Sequence, residues 1–199
     1  YALGEANWWL GNFDDAKVAL DESLALARAL EDLTAELATL NRLGTVAITE
    51  GDLAKAERLL REVHTRALAA GDRMRVQTAL NNLGWTATER KDFAVAKEYR
   101  QQMLALAREI GAPAGIALGL GNLACSDILL GQLAAARAGL REALEISERI
   151  GFLPWALFDV FIFGDLAYAE GQTERALALY GLVRNQPAWT SDLQRQMDR

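Results

Sequence analysis

The chain holds one histidine, His64, and one cysteine, Cys125. Such a pair is the smallest kit for nucleophilic catalysis, because an adjacent imidazole can take the thiol proton and leave a thiolate. Nothing in the sequence brings the two together. His64 falls on a helical stretch and reads as solvated, while Cys125 has no histidine near it and reads as a small packing or groove-lining residue. One of each cannot build a disulfide framework or an intrachain Cys/His metal cluster. The acid pairs Asp14-Asp15 and Glu31-Asp32 stand at helix starts, where carboxylates complement the helix dipole. No GxxxxGK[ST] phosphate loop occurs. These residues assign no catalytic role, no cofactor and no metal, and the chain is expected not to be an enzyme.

A different chemistry is offered by "ALNNLGW", residues 79 to 85. Two adjacent amides, Asn81 and Asn82, stand beside Trp85, and an amide both donates and accepts hydrogen bonds. These side chains either bind something or belong to a structural grammar that recurs along the chain. The elements that would position them decide which.

At 199 residues, 51% apolar and 24% charged, the chain can bury a substantial core. With 21 Lys and Arg against 27 Asp and Glu its net charge is -6, and no basic stripe appears, so nucleic acid contact is not expected. The longest greasy run, "WALFDVFIFGDLAYA" from Trp155, is short for a membrane span and carries Asp159 and Asp165. No membrane association is expected, and a reducing cytoplasm suits the single cysteine. The chain opens on Tyr1 rather than Met and is expected to be a piece of a larger protein.

The sequence repeats every forty residues. The turn "GNFDDA" at Gly11 returns as "GDLAKA" at Gly51, "KDFAVA" at Lys91, "GQLAAA" at Gly131 and "GQTERA" at Gly171. Leu3-Gly4, Leu43-Gly44, Leu83-Gly84, Leu123-Ala124 and Phe163-Gly164 keep the same step. Between breaks the apolar spacing is by three and four, as in Leu53, Ala56, Leu60, Val63 and Ala67, which predicts helices and no strands. Each unit is therefore a helix pair, with helix A at about 34–50, 74–90, 114–130 and 154–170 and helix B at about 53–70, 93–110, 133–150 and 173–184. Helix pairs that cannot bury their own apolar faces must stack, which predicts an all-α, right-handed solenoid of antiparallel pairs. Its units run approximately 1–31, 32–71, 72–111, 112–151 and 152–185 in one domain, with the first truncated. Residues 186–199 are expected to cap the array, through Trp189, Leu193 and Met197, or to begin a further helix. Trp8 and Trp9 are read as exposed by the truncation. Gly44, Gly84 and Gly164 inside helix A, and the column Ala16, Ala56, Ala96, Ala136 and Ala176 in helix B, mark where the two helices cross closely.

Leu-Gly in helix A, a helix-breaking turn, an aromatic such as Phe93 and an Ala three residues on resemble the tetratricopeptide repeat. The unit is forty residues rather than the usual thirty-four. The long form, with "LNNLG" and "AREIGAPAG", resembles the repeats of bacterial STAND-class signalling ATPases and MalT-type regulators. That resemblance implies a sensor or scaffold arm that binds a peptide, a protein segment or a small inducer, beside a nucleotide-binding domain elsewhere.

Leu37, Leu40, Gly44 and Ala47 make the packing stripe of helix A, so the neighbouring stripe should face the concave side. Repeated along the chain, this offset nominates Asn41, Arg42 and Thr45, then Thr78, Asn81, Asn82, Trp85 and Glu89, then Asn122 and Cys125, then Phe158 and Phe161. Arg42, Asn82 and Asn122 are equivalent, and in tetratricopeptide domains an Asn there often bonds a ligand backbone. The alternative is that these amides solvate the groove or bond a neighbouring helix, and that Trp85 is buried between helices. Helix A of the last unit is apolar nearly all round, so it needs a cover: the tail, a hydrophobic ligand or a second copy. The last option makes homo-oligomerisation and a purely structural role the competing reading.

Overall fold

The structure, a computed structural model, describes residues 1–9 and 12–186. Trp189, Leu193 and Met197 lie outside the described residues, as do the side chains of Trp8 and Trp9. Among the described residues ten helices occur and no strand: α1 (Ala2–Trp9), α2 (Phe13–Ala29), α3 (Leu33–Thr49), α4 (Leu53–Ala69), α5 (Arg73–Glu89), α6 (Phe93–Ile110), α7 (Pro113–Leu129), α8 (Leu133–Arg149), α9 (Leu153–Ala169) and α10 (Thr173–Arg184). No described helix is long and apolar enough to cross a membrane.

The joints explain why the helix bounds follow the sequence so closely. Asp32, Asp52 and Asp72 each cap a helix, accepting the backbone N–H of Ala35, Lys55 and Arg75 at 2.9, 3.0 and 3.0 Å. Just before these caps the backbone turns left-handed, at φ 80° for Gly51 and 70° for Gly71. Lys91 takes the same conformation, φ 65°, where the other described copies of its turn have glycine.

The chain forms two compact units, Tyr1–Tyr99 and Arg100–Arg199. In the first, α1 through α5 pack each on the next, and helix A of one repeat also touches helix A of the following one, α3 on α5. In the second, α7, α8, α9 and α10 do the same, with α7 on α9. The crossings fall where the glycines stand. A methyl group added at Gly44 would lie 2.8 Å from Leu60 Cδ2, and one at Gly4 would lie 2.7 Å from Leu20 Cγ. The alanine column is fully enclosed: Ala16, Ala56, Ala96 and Ala136 have no exposed surface.

An ion pair recurs at one register between successive repeats. Lys17 pairs with Glu50, Glu57 with Arg90 and Arg137 with Glu170. The same two positions are used with the charges exchanged in the middle pair, and the fourth copy, Lys97 and Leu130, lacks the acid. Each partly exposed pair contributes up to about 1 kcal/mol.

Candidate functional site

In unit 1, α3 and α5 lie side by side and present the nominated residues in order. Arg42 forms an ion pair through Nη2 with Glu5 of α1. Asn81 donates to Asn82 Oδ1 at 3.4 Å, and Asn82 donates to Asn41 Oδ1 at 3.0 Å, so an amide relay runs from α5 to α3. Thr78 and Glu89 are exposed, and Asn41, Arg42 and Asn81 are half-exposed. Beside this relay lies a pocket of about 250 Å³ lined by Tyr1, Leu37, Ala38, Asn41, Arg42, Val63, Arg75 and Thr78. No acidic side chain lines it.

Three of the nominated residues in unit 1 do not project as the offset predicted. Asn82 is only 6% exposed, because one residue further along a helix turns the side chain about 100° towards the neighbouring α3. It joins two helices instead of meeting solvent. Thr45 is also 6% exposed, with its hydroxyl directed at Asn41 O and Arg42 O of its own helix. Trp85 is half-buried: its ring packs on the cluster of Ala47, Ile48, Ala56, Leu60 and Leu83, and its indole N–H donates to Glu89 Oε1 at 2.9 Å. Cys125, at the equivalent position, also packs on a core cluster. The relay gives a direct expectation: Asn82→Ala should lower stability by about 1 kcal/mol, the net worth of one buried hydrogen bond, as read by urea unfolding.

In unit 2, Phe158 and Phe161 are half-buried and pack on the cluster of Ala124, Ala136, Leu140, Ile162 and Leu166. Phe161 also meets Tyr180, ring centroids 5.1 Å apart. These contacts tie both rings to the core on one side. Asn122 and Cys125 are half-buried. Burial pushes the Cys125 thiol up to about 11 against the pull of the Arg100 charge, so at neutral pH it stays a thiol and a poor nucleophile. Among the described residues no group of His, Cys, Asp and Glu could hold a metal ion.

The face-by-face offset missed a set of buried polar residues in unit 2. Arg100 stands in the column that reads Leu20, Leu60 and Leu140, yet it is buried and donates to Ser126 Oγ at 2.5 Å. Asp159 stands in the column of Thr39, Ala79 and Gly119, is 2% exposed, and accepts from Ser147 at 3.1 Å. Burial pushes its carboxyl up to about 7. Its Oδ1 occupies the space a side chain at Gly121 would need, 2.8 Å from where a Cβ would lie. Asp165 accepts from Tyr180 at 2.7 Å, and burial raises its pKa as well. Reading each repeat column for a charge in an apolar position would have found Arg100 and Asp159.

The tetratricopeptide repeat profile matches residues 1–69 and 36–109. This chain belongs to the tetratricopeptide repeat family. Solved structures place the array among known folds. BtubC (BKLC) from P. vanneervenii is 22% identical, with a TM-score of 0.71 over 83% of this chain and 70% of that one. A kinesin light chain type protein from Podosopora anserina with nearly identical TPR-like repeats is 19% identical, with a TM-score of 0.70 over 98% of this chain and 94% of that one. A Rap protein complexed with competence and sporulation factor is 17% identical, with a TM-score of 0.81 over 95% of this array and 53% of the Rap chain. At these identities the likeness is one of fold. The curated proteins contain no match.

Proposed function

We propose that this tetratricopeptide array is a binding module for a peptide or protein segment, and that the face of unit 1 formed by α3 and α5 is where the segment lies. The observation that carries this reading is the pocket that Asn41, Arg42, Arg75 and Thr78 help to line, with Asn81 and Glu89 continuing along the same helix. An extended segment fits a row of fixed polar side chains because its backbone supplies donors and acceptors at regular intervals. That a similarly folded Rap protein was solved complexed with competence and sporulation factor supports binding by such a fold. A small inducer is the alternative ligand. By its resemblance to STAND-class and MalT-type proteins, the module serves as the sensor or scaffold arm of a larger bacterial signalling or transcription-regulating ATPase in the cytoplasm.

A second reading, a scaffold that joins copies of the chain, draws on the exposed Tyr168, Leu177 and Leu182 of α9 and α10. A concentration-dependent dimer in sedimentation would favour it.

The test of the binding reading is selection of peptides from a random display library against the chain, followed by fluorescence anisotropy on two variants. Thr78→Trp, which fills the mouth of the pocket from an exposed position, should weaken the selected peptides by at least about tenfold, the loss of roughly 1.4 kcal/mol. Arg58→Trp, on the exposed side of α4, should leave them unchanged. Peptides that bind both variants alike, or a selection that yields none, would overturn the assignment.

A further inference from the structure

We infer that Asp159 is a proton-operated latch between α7 and α9: uncharged, it closes the seam between these two helices, and ionised, it opens that seam.

The latch lies in how the chain joins helix A of one repeat to helix A of the next. In unit 1 that contact is a neutral amide pair, Asn82 of α5 donating to Asn41 Oδ1 of α3. In unit 2 the column that holds Asn41 and Asn81 has Gly121, and the Asp159 carboxyl takes the space a side chain would fill. Its Oδ1 lies 2.8 Å from where a Cβ would stand, with the Phe158 ring and Ile162 bordering the same spot. The Ser147 hydroxyl of α8 donates to Oδ2 at 3.1 Å. A carboxylate has room for about four such bonds, so an anion held here is short of donors.

No basic side chain makes up the difference among the described residues. The charged residue of α7 is another acid, Asp127, and the Cys125 thiol of that helix is pushed up by both Asp159 and Asp165. Arg100, whose charge reaches Cys125, donates to Ser126. On α8, Arg141 and Arg149 are exposed, as are Glu142, Glu145 and Glu148, and Arg137 pairs with Glu170. On α10, Glu174, Arg175 and Arg184 are exposed, and Tyr180 donates to Asp165. Burial therefore outweighs the Ser147 bond and brings the Asp159 carboxyl to about 7, so its proton exchanges in the neutral range.

The helix it holds is poorly able to hold itself. α7 has Gly119 and Gly121 in its interior, each costing roughly 1 kcal/mol relative to alanine, where α3, α5 and α9 have one glycine apiece. Its order depends on what packs against it. Protonated, Asp159 fills the gap at Gly121 as a neutral wedge. Ionised, it gains by meeting water, and parting of α7 from α9 lets the water in.

Amide hydrogen exchange by mass spectrometry on the full chain, corrected for the intrinsic rate at each pH, tests the latch. Between pH 5 and pH 8 the opening of α7 should rise by roughly fifty- to a hundredfold and level off above about 7, while α3 and α5 change by less than about threefold. In Asp159→Asn the response of α7 should vanish. Should that variant fail to fold, carbon-13 NMR of the parent labelled at aspartate Cγ reads the same group, as a carboxyl titrating near pH 7 in step with the α7 amides. A uniform change across α3, α5 and α7 would overturn the latch, as would an unchanged α7 or the same response in Asp159→Asn. So would a parent chain with no aspartate titrating above pH 6.

Discussion

Asp159→Asn should stabilise the chain progressively as pH rises, with its stability relative to the parent improving by about 2 to 3 kcal/mol between pH 5 and pH 8. The cause is burial. Asp159 sits among α7, α8 and α9 with one hydrogen bond, from Ser147, and its carboxyl is held at about 7 instead of 3.8. A carboxyl whose pKa is raised on folding binds its proton more tightly in the native state. Stability is therefore greatest below the unfolded pKa and falls as pH climbs towards the folded value. Above about 7 the native state must hold a buried, poorly solvated anion. Asparagine keeps an oxygen for Ser147 and carries no charge, so it escapes that loss. Melting curves at the two pH values read the difference as roughly 5 to 10 °C for a chain of this size. A variant that differs from the parent by the same amount at both would show that Asp159 is already ionised in the fold and that the burial argument fails.

Glu36→Gln should act in the opposite direction and lower stability by about 2 kcal/mol at pH 7, with the loss disappearing as pH approaches 2. Glu36 of α3 is bound by Arg66 of α4, 2.6 Å to Oε2 and 2.9 Å to Oε1, and by Arg28 Nε of α2 at 2.9 Å. The hydrogen bonds from Arg66, then those from Arg28, hold its carboxyl down at about 2, well below the 4.5 of a free glutamate. Here the folded pKa is depressed, so the contribution is present above about 4.5 and is lost as pH falls through 2. The full shift would correspond to about 3 kcal/mol; water screens the half-exposed guanidinia and reduces it. Equal destabilisation at pH 3 and pH 7 would mean that Glu36 acts by packing and not by charge.

The helices were legible because punctuation and periodicity agree. Asp52 caps α4 immediately after Gly51 makes its left-handed turn, and the crossing at Gly44 has Leu60 pressed against it. The face was less legible, since the inner stripe of helix A borders both a pocket and the next helix. Thr78 and Asn82 share that stripe, yet Thr78 is exposed and Asn82 is spent on Asn41. Helical periodicity fixes direction to within about one residue, or 100°, which is the angle separating a groove residue from an interhelical one. Phe158 and Phe161 differ for a second reason: a stripe defined by polar residues in early repeats carries over to a last repeat where the same positions hold aromatic rings that pack on the core. Arg75 was missed because it lies outside the stripe, in the first turn of α5, and reaches the pocket by the length of its side chain.

The most direct test of the binding face is backbone NMR mapping with the tightest peptide from the library selection. The account predicts that perturbed amides concentrate on α3 and α5 around Asn41, Thr78 and Asn81. Perturbations confined to α4, or to α9 and α10, would contradict it.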